Sequence, residues 1–266
     1  MSFPGRGRWL VIAGLMAAGP AMAQEGPAEL RWSSVLSYEG QQIAPSPANA
    51  YWHTVTAGVE RKFERGSVAL QGVATRRFDV GDQALVVDAY HELWSGAYGN
   101  ARVSAAPGAE VLPTYTVAGE IFQTVGHSEI SASYRYQEIA LAEVNTFGVG
   151  LGHYWGNWYL RPRTVVAKVD ESWSPFFAFT ARRYLGESTD NSLDLSVGAG
   201  DEVLEVAPPS GSSARLDVVT SGSRFAAVGA RTFLSRRFGV TAGGSYSDYQ
   251  EIPDRWGVTM GVIARW

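Results

Sequence analysis

The residues of this chain best equipped to do chemistry are charged side chains that separate along its length. Glu60, Asp88, Glu92 and Glu120 come from the first half. Arg135, Arg161, Arg163, Arg182, Arg231 and Arg265 come mostly from the second, with Arg102 as the exception. Tyr159, Arg161 and Arg163 alternate with Leu160 and Pro162, so in an extended chain they project from one face. A guanidinium is a planar fork of donors that matches a carboxylate or a phosphate. A row of them can bind an anionic solute and, with acids on the opposite wall, set a transverse field across a pore. It can equally hold the chain's own carboxylates in ion pairs that close and support an interior. The sequence leaves both readings open.

Other chemistries are thinly represented. A nucleophile and its base must lie within hydrogen-bond reach, and His127-Ser128-Glu129 is the one compact set, at a tight turn where these residue types are ordinary. His91 falls on the opposite face from Asp88 and Glu92, and His153, beside Tyr154 and Trp155, reads as an interfacial residue. Neither a Gly-x-Ser-x-Gly elbow nor a His-Glu-x-x-His helix occurs. The chain has no cysteine, which removes thiol catalysis, Cys-ligated zinc and disulfides. No metal-ligand spacing occurs and no cofactor is expected. An enzyme, such as a lipid- or glycan-modifying protein with a site at a rim, is the weakest functional class. Formal net charge is -4. Without a concentrated basic face, nucleic acid is not an expected partner.

The elements that carry these residues read as membrane strands. Arg6 and Arg8, an apolar run from Trp9 to Ala18, and Ala21-Met22-Ala23 form a secretory signal over 1–23, leaving 24–266 as one barrel domain. After it no apolar run is long enough for a membrane helix. Alternating segments follow at 30–39, 51–63, 67–78, 83–94, 97–105, 113–124, 128–138, 143–154, 157–169, 173–183, 190–200, 222–234, 237–249 and 255–266. The last is the clearest: Trp256, Val258, Met260, Val262, Ala264 and Trp266 alternate with Gly257, Thr259, Gly261, Ile263 and Arg265. Lipid does not tolerate an open sheet edge, and simple barrels have even strand numbers. The expectation is an all-β, antiparallel, up-and-down transmembrane barrel of about 14 strands, with 12 as the alternative. Both ends then lie in the periplasm, with tight turns there and longer loops outside. Asp201–Ser221 is expected to be the longest outer loop, although Arg215 to Val219 could extend a strand.

Apolar residues should face lipid. In 51–63 the outward set is Tyr51, Val55, Ala57 and Val59, and in 157–169 it is Trp158, Leu160, Pro162 and Thr164. Trp94, Trp155, Trp158, Trp173, Trp256 and Trp266 lie near strand ends, where aromatic girdles meet headgroups. Gly148, Gly150 and Gly152 share the lumen face of one strand and make space there, over which a neighbour such as Tyr159 or Phe176 could lie.

Ser133-Tyr134-Arg135-Tyr136, the run Val149-Gly150-Leu151-Gly152-His153-Tyr154-Trp155-Gly156-Asn157-Trp158-Tyr159-Leu160-Arg161-Pro162-Arg163, Ala181-Arg182-Arg183-Tyr184-Leu185 and Leu195-Ser196-Val197-Gly198-Ala199-Gly200 resemble the YaiO family of outer-membrane β-barrel domains. The specific agreement covers about 130 to 200. In that family tetratricopeptide-like repeats often precede the barrel. This chain passes almost directly from signal to first strand, so no helical domain is expected. The resemblance implies location in the outer membrane of a Gram-negative bacterium and directs attention to Arg135, Tyr159, Arg161, Arg163 and Arg182. The expected function is a channel or export port for small, anionic or saccharide solutes. The alternative is a closed structural or binding barrel. Expected partners are outer-membrane lipid and lipopolysaccharide, and the barrel assembly machinery, which the last strand's resemblance to barrel terminal signals implies. A monomer is the default and the oligomeric state is open.

Overall fold

In the computed structural model the chain is described over residues 30–44, 50–77, 80–139, 142–186, 189–206, 217–250 and 253–266. The expected signal segment 1–23 lies outside the described residues. Fourteen strands run in chain order: β1 (Trp32–Ala44), β2 (Ala50–Phe63), β3 (Gly66–Arg77), β4 (Val80–Trp94), β5 (Ala97–Ala105), β6 (Tyr115–Val125), β7 (Ser128–Ile139), β8 (Ala142–Trp155), β9 (Trp158–Val169), β10 (Ser172–Tyr184), β11 (Ser192–Val206), β12 (Asp217–Phe233), β13 (Phe238–Tyr249) and β14 (Asp254–Arg265). Each pairs antiparallel with its neighbours in sequence, and β1 pairs with β14 to close the barrel. At the seam Trp32 N donates to Trp266 O and Trp266 N donates to Trp32 O, both at 3.0 Å. No sheet edge is left to face lipid, which is the condition a membrane sheet must meet.

The expected strands are present, with two changes of extent. β1 runs to Ala44 where the sequence suggests an end at residue 39, because Gln41 and Ile43 turn inward and are buried. The stretch read as the loop Asp201–Ser221 is strand at both ends: β11 continues to Val206 and β12 begins at Asp217, paired through Val206 with Asp217, while 207–216 lie outside the described residues. The connections also depart from the simple asymmetry. The outer turn between β9 and β10 is only Asp170-Glu171, and Asp170 adopts φ 51°, a conformation that aspartate tolerates better than most residues. The inner turns at Gly126 (φ 63°) and Gly156 (φ 56°) have the positive φ of hairpin turns whose twist matches that of the strands.

The alternation sorts the wall into two faces. Leu36, Val59, Leu85, Ile121, Val149, Leu151, Phe177, Val228, Val258 and Met260 are exposed on the outside, where lipid would cover them. The tryptophans form belts. Trp32, Trp94, Trp155, Trp158 and Trp266 are exposed at the strand ends nearest the two termini, and Trp173 and Trp256 at the other end. Inside, the two halves differ. At mid-height β12 to β14 and β1 to β3 present mostly small side chains, among them Ala227, Gly229, Thr241, Gly243, Ser245, Thr259, Gly261, Ser37, Thr56, Gly58 and Ala69. Apart from Gly229 and the outward-lying share of each backbone, these are partly or fully accessible. The arc from β4 to β10 carries the large polar and aromatic residues.

Val149 lies near the middle of β8 and is 62% exposed on the lipid side. Val149→Arg should lower unfolding stability in phospholipid vesicles by about 2–4 kcal/mol, measured by denaturant titration, because a cation at the bilayer midplane costs that much. Thr146→Arg, on the inward face of the same strand, should cost much less.

Candidate functional site

The lumen wall of the large-residue arc is built around a groove in β8. Gly148, Gly150 and Gly152 point inward and are buried. A Cβ on Gly150 would meet Ser131 Oγ at 2.7 Å and Arg161 Nε at 3.2 Å, and one on Gly152 would meet Tyr159 Oη at 2.7 Å. A Cβ on Gly148 would collide with Ser133 Oγ and approach Arg163 Nη2 at 3.2 Å. The absent side chains let Tyr159, Arg161 and Arg163 of β9 lie flat across β8 and reach the strands beyond it. Of the two aromatic residues expected to cover the stripe, Tyr159 does so. Phe176 instead stacks on Phe225, with ring centroids 5.8 Å apart, over Gly198 of β11.

Three layers of contacts follow. Lowest, near the periplasmic end, Tyr159 Oη donates to Glu129 Oε1 at 2.6 Å and Tyr98 Oη donates to Glu129 Oε2. Glu129 is 2% exposed, and the rings of Tyr98 and Phe122 stack at 4.6 Å beside it. Next, Arg161 Nη2 donates to Glu120 Oε1 and, at 2.9 Å, to Ser131 Oγ, with its guanidinium 5.0 Å from the Phe122 ring centroid. Both side chains of this pair are 10% exposed. A pair this buried gains little over an apolar replacement, but leaving one partner alone is costly. Above them Arg163 Nη2 donates to Ser133 Oγ at 2.8 Å, and Arg102 Nε donates to Asp88 Oδ2 at 2.8 Å. Arg135 stands in the same register as Arg102, separated by Ala118. The charges acting on it are Arg163, Arg102 and Glu120. Neither Arg135 nor Arg163 makes an ion pair with a carboxylate among the described residues.

The remaining candidates fall elsewhere. Arg182 Nε donates to Asp194 Oδ1 at 2.5 Å, a pair supported by Ser192 Oγ at 3.3 Å. Glu60 accepts from Ser33 Oγ at 3.1 Å on the small-residue side, with Arg265 in register across Ser33. Glu92 lies at the periplasmic rim, half exposed and 3.8 Å from Arg65. The expected division into an acidic wall and a basic wall is therefore replaced by one mixed arc, in which Asp88 and Glu120 are matched by arginines. At the periplasmic end Thr189 and Asp190, just before β11, are held by two arginines. Arg265 binds Asp190 through both terminal nitrogens at 2.7 and 3.0 Å, and Arg231 donates to the carbonyls of Asp190 and Thr189.

His127-Ser128-Glu129 splits apart. Glu129 faces the lumen, whereas Ser128 Oγ lies 2.9 Å from His153 Nδ1 on the exposed side, so the acid cannot orient that histidine. Sequence reasoning missed the external mouth. Trp52 is 2% exposed, with the guanidiniums of Arg255 and Arg77 at 4.7 and 5.0 Å from its ring centroid, and Arg255 lies 5.0 Å from the Tyr249 ring. The signal was available: Trp52 is out of phase with the outward Tyr51, Val55 and Val59. Across the mouth, Asp82 accepts from the amides of Glu110, Val111 and Leu112 at 2.6–3.2 Å, holding the loop after β5 inward.

A family model, the YaiO membrane beta barrel domain, matches residues 38–202. Comparison with curated proteins gives no match. Among solved structures, the chain is similar to a bacterial polysaccharide outer membrane secretin, with 10% identity, TM-score 0.57, and 90% of this chain and 99% of that one covered. It is also similar to an outer membrane channel from Pseudomonas putida F1 (7%, 0.52, 91% and 100%) and to the Acinetobacter baumannii outer membrane protein Omp33 (10%, 0.51, 89% and 99%). The match over most of the barrel places the chain in the YaiO membrane β-barrel domain family, a protein of the cell outer membrane.

The packing over β8 gives two expectations. Gly150→Val should cost about 1–3 kcal/mol in denaturant unfolding, because the added carbons displace Arg161 and Ser131. Arg161→Met alone should cost about 3–5 kcal/mol by stranding Glu120, while Arg161→Met with Glu120→Leu should recover most of that loss in the same assay.

Proposed function

We propose that this YaiO-family barrel is a passive outer-membrane pore for small anionic solutes, acidic saccharides among them. One observation carries the reading: among the described residues Arg135 and Arg163 stand on the lumen wall without a carboxylate ion-pair partner, beside the paired Arg102 and Arg161. Unmatched guanidiniums on a lumen wall attract anions and leave their donors for a passing carboxylate, phosphate or sulfate. The solute path lies on the other side of the section, along the small accessible residues of β12 to β14 and β1 to β3. The filled arc then serves as a rigid charged bank, and the small-residue arc as the open bed. The flattened posture of Arg161 and Arg163 in the β8 groove fits that division, since it keeps long side chains against the wall.

A second reading has its own support. The buried ion pairs Arg161–Glu120 and Arg182–Asp194 and the Tyr98–Glu129–Tyr159 contact could serve a closed scaffold that only spans the membrane. Folded protein in planar bilayers separates the two. Under a potassium chloride gradient the pore should show a reversal potential of the sign for chloride preference, and Arg135→Ala with Arg163→Ala should lower the chloride-to-potassium permeability ratio about twofold or more. Cation preference, or a ratio unmoved by the double variant, overturns the anionic-solute reading. Silence from verified folded protein supports the scaffold.

A further inference from the structure

We propose that Arg255 anchors an anion-binding subsite at the external mouth, distinct from the lumenal arginines and independent of whether the barrel conducts. Arg255 is 3% exposed, and among the described residues none of its three guanidinium nitrogens meets an acceptor in good hydrogen-bond geometry, although the Tyr249 hydroxyl lies close enough to act on it. The surroundings satisfy the cation in a different way. Its guanidinium lies over the rings of Trp52 and Tyr249, at 4.7 and 5.0 Å from their centroids. An aromatic face stabilises the cation without consuming N–H donors, which project from the edge of the guanidinium plane. The acids that act on it, Glu202 and Glu39, do so through space without bonding to it, and Glu39 accepts instead from Gln41 Nε2.

A buried guanidinium has five N–H donors, more than one tyrosine hydroxyl can take, and so is an incomplete arrangement. Charged groups taken from water are retained where a counter-charge and hydrogen bonds complete them. The missing part has a defined chemistry: a compact oxyanion, phosphate or carboxylate, that can take two parallel N–H bonds. A second guanidinium, Arg77, lies 5.0 Å from the same Trp52 ring, so the subsite has cationic character from two strands, β3 and β14, between which β1 and β2 lie. Its position at the outer ends of β2, β3, β13 and β14 places it at the external end of the small-residue arc.

The test uses the protein refolded into a phosphate-free non-ionic detergent, which keeps lipopolysaccharide out and leaves inorganic phosphate as the probe. Phosphate is titrated at constant ionic strength against chloride, with binding read by calorimetry and by the rise in thermal midpoint that binding to the folded state produces. The wild-type protein should bind phosphate saturably. Arg255→Met should weaken binding about tenfold or more, and Arg255→Lys, which keeps the charge but loses the fork, by less. Arg255→Met should itself fold, since an apolar side chain replaces a buried charge, and heat-modifiable gel mobility verifies it. In the background of Arg135→Ala with Arg163→Ala, Arg255→Met should still weaken the remaining phosphate binding about tenfold or more. The proposal falls if wild-type protein shows no phosphate binding beyond chloride, if folded Arg255→Met binds as wild type, or if the lumenal double variant alone abolishes binding. The last result would leave the pore reading standing while removing this subsite.

Discussion

Everything in this molecule depends on the requirement that no backbone amide or carbonyl face hydrocarbon unbonded. A sheet meets it only by closing, and the closure here is made by two tryptophans at the ends of the strand sequence, Trp32 and Trp266, bonding each other's main chain. Closure in turn fixes the two faces. Once one side of every strand is committed to lipid, alternate residues have to face inward, whatever their chemistry. The charged residues of the chain are therefore concentrated in a space where they must find partners or stay wet.

The solution adopted on β4 to β10 is to lay long side chains along the wall. That depends on three glycines of β8, which take up no room, and on serines of β7, which accept from the arginines that cross over them. Side chains that would otherwise cross the lumen are held flat, and the cross-section becomes lopsided: crowded on one side, lined by Gly, Ala, Ser and Thr on the other. The asymmetry is a property of sequence composition by strand, and no inserted loop or plug is needed to produce it among the described residues.

The strand pattern was legible because the inside–outside alternation is a two-residue signal repeated fourteen times, and the lipid face accepts few exceptions. The face of Arg161, Arg163, Tyr159 and Glu120 followed from it directly. Their partners did not. Arg161 reaches Glu120 across two intervening strands, and Glu120 precedes it by 41 residues; no local spacing encodes that reach, which exists because β8 is glycine on its inner face. The glycine stripe was visible as space, but what filled it required knowing the lengths and directions of several side chains together. Asp194, partner of Arg182, was overlooked because the strand carrying it had a weak alternation signal. Trp52 falls in phase with the inward Thr54, Thr56, Gly58 and Glu60, but the guanidiniums over its ring come from β14 and β3, and no local spacing encodes them.

The bracing of the periplasmic rim has a consequence for how the barrel comes together. Every strand pairing but one joins neighbours in sequence, so the sheet can grow as a succession of hairpins with small loop-closure costs, and only the β1–β14 seam joins distant parts of the chain. Arg265 of β14 is bonded on the inside to Asp190, which lies before β11. That contact spans β12 and β13 and holds β14 to the β11 side of the sheet by a route independent of the main-chain ladder. It acts as a brace: the strand that must close the barrel is held in its curve from inside, while the join to β1 itself is made by the backbone ladder.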